Sequence, residues 1–141
     1  MSLNCCKRWC LLMIVLSLFA CSSTRLQPIG TIGEMSRNDF MNAMRWKRFK
    51  DAASFMQADH RQDFMAIFTP LKGLHITDVR LASLQESAED RRFEASFEMD
   101  YYLLPSVTVK TLSFDQTWVF FDGDDPAKQG FIIVSPFPAF P

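Results

Sequence analysis

Cysteine is scarce where it would matter. Cys5, Cys6 and Cys10 stand in the first ten residues, and the one other cysteine is Cys21. If the chain is cut just before Cys21, a single cysteine remains and no internal disulfide can form. Histidine is scarcer still, with only His60 and His75, so the usual zinc ligand set cannot be assembled locally. The five glycines form no phosphate-cradling loop, and there is no nucleophile-elbow pattern. No apolar run reaches the roughly 20 residues of a membrane-spanning helix. Neither sign of charge dominates. The net charge is −1, and loss of Lys7 and Arg8 with a cleaved leader would make the remainder more acidic. That is not the strongly basic face of a nucleic-acid binder. Internal repeats and low-complexity blocks are absent, and no residue set calls for a cofactor.

What is present is a leader and enough apolar mass for one domain. Fourteen Phe, eight Met and three Trp in 141 residues suffice for a real core. Lys7 and Arg8 form a short positive segment, residues 10–20 are apolar apart from Ser17, and Ala20 precedes Cys21. Those are the parts of an export signal. The pattern Leu18-Phe19-Ala20-Cys21 resembles the lipobox of bacterial lipoproteins, with Phe19 larger than that family prefers. The resemblance implies removal of residues 1–20 and acylation of Cys21, and several acyl chains hold a protein on a bilayer almost permanently. Ser22, where some lipoproteins have the aspartate of inner-membrane retention, resembles the outer-membrane class. The expected location is therefore the bacterial cell envelope, lipid-anchored, at the outer membrane facing the periplasm. An ordinary signal peptide with a chance cysteine is the competing reading.

Residues 22–34 read as a tether, rich in Ser, Thr and Gly and containing Pro28. About fourteen such residues reach on the order of 20 Å as flexible coil, although 29–32 have the character of a segment that packs along the domain. The domain proper is expected over 36–141, after a lipidated tether of 21–35. Ser36 can cap a first helix whose face holds Phe40, Ala43, Met44 and Lys47, with Met41 beside them. Arg45, Trp46, Lys47, Arg48 and Lys50 form the basic cluster. It is read first as a solvated helix end and second as a contact for lipid phosphates. Phe49, Ala52, Ala53 and Met56 mark a short second helix over 49–57. Asp59 is the expected cap of a third, with Phe64, Ile67, Phe68 and Leu71 on its face, Pro70 in its last turn and Gly73 at its end.

From Leu74 the period becomes two. Residues 74–85 read as a strand with an irregularity at Thr77-Asp78, and 86–90 as a turn. In 91–103, Phe93, Ala95, Phe97, Met99, Tyr101 and Leu103 alternate with Arg92, Glu94, Ser96, Glu98 and Asp100. Such alternation means one wet face and one buried face. A turn at Pro105-Ser106, a strand over 107–122, a loop over 122–126 and a strand over 130–135 follow. Asp122, Asp124 and Asp125 lack the spacing and closing glutamate of a calcium loop, so a polar turn is the better reading. Helices followed by consecutive strands predict an α+β domain, with helices on the concave side of a curved four-stranded antiparallel sheet.

That order is similar to the nuclear-transport-factor-2-like superfamily of cystatin-like, cone-shaped domains, over roughly residues 36–136. Ala52-Ala53-Ser54-Phe55, His75-Ile76-Thr77-Asp78-Val79 and Gln116-Thr117-Trp118 resemble small lipoproteins of that superfamily with no assigned activity. No strand is evident between the second and third helices, so the cone is expected to be open there. The superfamily includes isomerases, cyclases and dehydratases as well as binding domains, so fold alone does not give function. Its catalytic members imply an acid and base inside the cone. The residues available for a pocket are His75, Asp100, Tyr102 and Trp118, with Asp100 on the wet face of its strand and His60 exposed. No spacing forces two of them together. The preferred reading is a non-catalytic domain that binds an envelope protein or a small apolar ligand, and the alternative is a cyclase- or isomerase-type enzyme. The tail, 135–141, cannot continue a strand because its prolines lack N–H donors. Phe137 and Phe140 either pack back on the sheet or are offered to a partner.

Overall fold

Strand pairing organises the domain around one alternating segment. The computed structural model describes residues 29–87, 91–123 and 129–140. The leader, Cys21, the tether up to residue 28, residues 88–90 of the first turn and 124–126 of the second loop lie outside the described residues. Strands β1 (Leu74–Ser87), β2 (Arg92–Leu103), β3 (Lys110–Phe121) and β4 (Gly130–Ile133) form an antiparallel meander in the order β1-β2-β3-β4. In β2, Phe93, Ala95, Phe97, Met99 and Tyr101 are buried, while Arg92 and Glu94 are exposed. Across the strands Phe97 faces Leu81 on one side and Phe114 on the other, and Phe93 faces Trp118. Successive strand residues point to opposite faces, so these pairs build one apolar surface.

β1 carries two register shifts, at Ile76/Asp78 and at Leu81/Ser83. Each extra residue bends the strand and increases its twist, which curves the sheet around the helices. Only the first shift announces itself in the sequence. β3 begins at Lys110 rather than at 107, leaving Val107 and Val109 exposed. β4 ends at Ile133 instead of 135, although the Val134 N–H still donates to Thr117 O at 2.9 Å and the Thr117 N–H to Ser135 Oγ at 3.0 Å.

Three helices cover the concave face: α1 (Ile29–Arg45), α2 (Phe49–Ser54) and α3 (Ala58–Phe68). In α1 the buried positions Gly33, Arg37, Phe40 and Met44 recur at helical spacing. The helix therefore starts seven residues before Ser36, and residues 29–34 belong to it and not to a tether. Gly33 explains the early start. A Cβ there would come within 3.2 Å of the Phe93 and Phe131 rings, so the missing side chain lets the helix lie directly on them. α1 stops in a six-to-one turn. The Arg48 N–H donates to Ala43 O at 2.8 Å and the Lys47 N–H to Met44 O at 3.0 Å, with Lys47 at φ 54°.

α2 ends at Ser54 because Phe55, Met56 and Gln57 leave the helix to meet β4. Met56 bridges Ile133 in parallel, the Ile133 N–H donates to Phe55 O at 2.7 Å, and the Gln57 N–H to Ile133 O at 2.8 Å. The cone is therefore not open between the second and third helices; a single bridge covers that edge. Gln57, not Asp59, is the cap residue of α3, and Asp59 lies in the first turn, where a carboxylate suits the helix dipole. α3 ends at Phe68, before Pro70 and Gly73. Among the described residues no helix is long and apolar enough to cross a membrane.

Candidate functional site

The space between α1 and the sheet is filled with rings. Trp118 of β3 is fully buried and stacks on Phe93 of β2, with centroids 5.4 Å apart and planes 16° apart. Phe40 of α1 meets it edge-on at 5.8 Å and 84°, Phe55 lies 6.1 Å away, and Phe97 lies 6.1 Å from Phe40. Such geometries suit the ring quadrupoles and add to the area buried. Trp118, one of the pocket residues expected from sequence, is thus part of the packed interior.

The other three expected pocket residues are on the opposite, outer face of the sheet. His75 stacks on its cross-strand neighbour Tyr102 at 4.7 Å and 4°. Asp100 accepts hydrogen bonds from Thr111 Oγ1 at 2.6 Å and from Arg80, which also holds Glu98. The Thr111 hydroxyl, and after it the Arg80 guanidinium, keeps the Asp100 carboxyl below the usual aspartate range. Arg45 extends this network, donating to Asp78 Oδ1 at 2.7 Å and to Val79 O at 2.9 Å. The sheet separates these groups from Trp118, so the four residues share no pocket. Within the basic cluster, Lys47 donates to Leu74 O at 3.2 Å and Arg48 pairs with Asp51 at 3.2 Å. With Arg45, three of its cations are thus tied to the domain itself, as a helix end would be. Trp46 stays exposed. His60 is half-buried in the first turn of α3.

Two polar residues are buried among those described, Arg37 and Gln116. Both side-chain amide atoms of Gln116 lack a hydrogen-bond partner, as do Trp118 Nε1 and Arg37 Nη1. Neither residue is a carboxylic acid or an imidazole, the groups a general acid–base pair most often uses. Arg37 sits where α1 crosses the end of the β1–β2 pair. Its guanidinium lies 4.8 Å over the Phe93 ring, and the nearest carboxylate, Glu86, is 3.8 Å away, beyond hydrogen-bond reach. Beside it opens a cleft of about 390 Å³ with Ile29, Gly30, Gly33, Phe93 and Phe131 in its walls. Sequence reasoning missed Arg37. The signal was an arginine at helical spacing between Gly33 and Phe40, on the face that had to be apolar.

The tail closes the other end. Phe137 packs against Phe64, Phe68 and Phe114 with centroids 5.2, 5.4 and 4.8 Å away, and Phe140 against Tyr101 at 4.7 Å.

No family model matches the sequence, and neither does any curated protein. Solved structures do match. A SEC-C motif-containing protein from Psychrobacter arcticus superposes with a TM-score of 0.58 at 10% identity, covering 77% of this chain and 61% of that one. The chain thus spans about three-fifths of that protein's length. The VirB8 protein of Agrobacterium tumefaciens gives 0.54 at 9% identity, over 80% of this chain and 93% of its own. A proposed polyketide cyclase from Xanthomonas campestris pv. campestris gives 0.50 at 11%, over 77% and 93%. These structures share with the chain the α+β fold of helices packed on a four-stranded antiparallel sheet. Identities this low establish that α+β fold and nothing further.

Proposed function

We propose that this is a lipid-anchored protein of the bacterial envelope whose domain binds and does not catalyse. Anchoring rests on the lipobox-like Leu18-Phe19-Ala20-Cys21 and on the lack of any other cysteine after it. Acylated Cys21 would hold the chain on the outer membrane, facing the periplasm. α1 takes in the described residues from Ile29 on, so the expected tether of 21–35 loses its last seven residues to the domain.

The observation that carries the binding reading is the packed interior: Trp118 is fully buried among Phe40, Phe55 and Phe93. A cone filled in this way suits a scaffold or adaptor better than a reaction chamber. The cyclase or isomerase alternative needs an acid and a base inside the cone. His75, Asp100 and Tyr102 belong to the outer face, which is why that reading stands second.

Two measurements test the proposal. Replacing Cys21 (Cys21→Ser) is expected to release the protein from the membrane fraction without unfolding it. A variant that still sediments with membranes after a high-salt wash rules out the lipid anchor. Crosslinking in intact cells is expected to trap an envelope protein on the anchored chain. Turnover of a carbonyl substrate by the purified protein would instead support the enzyme.

A further inference from the structure

The cleft at Arg37 has a chemistry of its own. Arg37 is 7% exposed, and its Nη1 has no hydrogen-bond partner. Burying a guanidinium is costly unless its charge and its N–H groups are both met. The Phe93 ring meets part of the charge, and Glu86 stands at 3.8 Å. Arg91 and Arg92 also line the cleft, but each already holds a carboxylate: Asp122 at 3.0 Å and Glu94 at 2.8 Å. Arg37 is therefore the one of the three that no carboxylate holds at hydrogen-bond distance. A guanidinium fork fits a carboxylate or a similar anionic head. The walls around it, Phe93, Phe131 and Ile29, fit an apolar body. The volume of about 390 Å³ falls in the range of small-molecule sites, roughly 300–1,000 Å³.

We infer that this cleft is a binding site for a small amphipathic monoanion, its head on Arg37 and its apolar body against Phe93 and Phe131. The inference deepens the reading of the domain as a binder. It stands whether or not Cys21 carries lipid, and crosslinking to an envelope protein tests that reading separately, so either can fail without the other.

The probe is 3-phenylpropionate, titrated calorimetrically into the purified full chain, with 3-phenylpropan-1-ol as its uncharged counterpart. The carboxylate is expected to bind in the roughly millimolar range or tighter, and the alcohol at least about tenfold more weakly. Gly30 supplies a variant that spares the fold. A Cβ at Gly30 meets nothing within 4 Å, and leucine favours a helix over glycine. Gly30→Leu is expected to fill the cleft, keep the melting temperature, and weaken the carboxylate by at least about tenfold. Glu86→Gln removes the competing carboxylate and is expected to tighten binding a few-fold. Arg37→Met is expected to abolish the preference for the acid over the alcohol. Equal affinity for acid and alcohol, no binding of the acid, unchanged affinity in Gly30→Leu, or weaker binding in Glu86→Gln would each overturn the assignment.

Discussion

Phe137 of the C-terminal tail meets Phe64 of α3 edge-on, with ring centroids 5.2 Å apart and planes at 85°. The tail, which cannot join the sheet, instead closes the gap between α3 and the inner face of β3. Truncation after Ser135 removes Phe137 and the half-buried Phe140. Burying one phenylalanine contributes about 1.5–3 kcal/mol, so the truncated chain is expected to lose about 3 kcal/mol. A denaturant melt checks this, and an unaltered midpoint would return the tail to the role of a partner-binding segment.

The two faces of β2 predict opposite tolerance. Phe97 is fully buried and rings from α1 and β3 pack on it, Phe40 at 6.1 Å and Phe114 at 5.5 Å. Phe97→Asp removes those contacts and buries a lone carboxylate, which is expected to cost at least about 4 kcal/mol or prevent folding. Glu98 faces outward and pairs with Arg80. Losing an exposed pair costs about 0–1 kcal/mol, so Glu98→Ala is expected to melt close to the parent. Equal losses in thermal melts would mean that the faces are assigned the wrong way round.

Much of this arrangement was legible from residue spacing. The buried and wet faces of β2, the order of four strands, and the bulge at Thr77 all follow from period-two patterning and its interruption. The elements that were not legible have physical reasons. Gly33 makes the first turns of α1 look like linker, yet it is there because the helix touches Phe93 and Phe131. Lys47 ends α1 in a left-handed conformation usually given to glycine, so no glycine marks that end and the basic cluster is its signal. Pairing of Met56 with Ile133 joins residues far apart in sequence, which local pattern cannot show. The site suffered most. Arg37 is informative only once its surroundings are known to be apolar, and His75 and Tyr102 attracted attention by residue type although they stack on the solvent side.

Asp100 gives the domain a pH signature. Its carboxyl is held below the ordinary value of 3.8, first by the Thr111 hydroxyl and then by Arg80. A depressed carboxyl stabilises the fold above the unfolded-state value, and that contribution is lost as the pH falls through the folded one. Asp100→Asn should therefore melt below the parent at pH 7, and the gap should close as the pH is lowered past about 3.8. Melts at intervals between pH 7 and pH 2 check the sign. A gap that stays constant across the series would mean that the carboxylate charge plays no part.

Gln116 is the harder test of what the cone is for. It is 2% exposed on the inner face of β3, opposite Ala95, and neither its Nε2 nor its Oε1 has a hydrogen-bond partner. Leaving a buried amide unpaired costs about 1–3 kcal/mol. If the interior is simply packed core, methionine, similar in length and flexible enough to fit between the neighbouring rings, should do better there. Gln116→Met is then expected to stabilise the domain by about 1–2 kcal/mol, which for a domain of this size raises the melting temperature by several degrees. If the amide instead serves a molecule that enters the cone, Gln116→Met should still raise the melt of the free protein while abolishing a crosslink or ligand otherwise found with it. A melt that falls would show that the amide is satisfied in solution, by the protein or by a buried water, and the account of the interior as rings around one unpaired amide would have to be withdrawn.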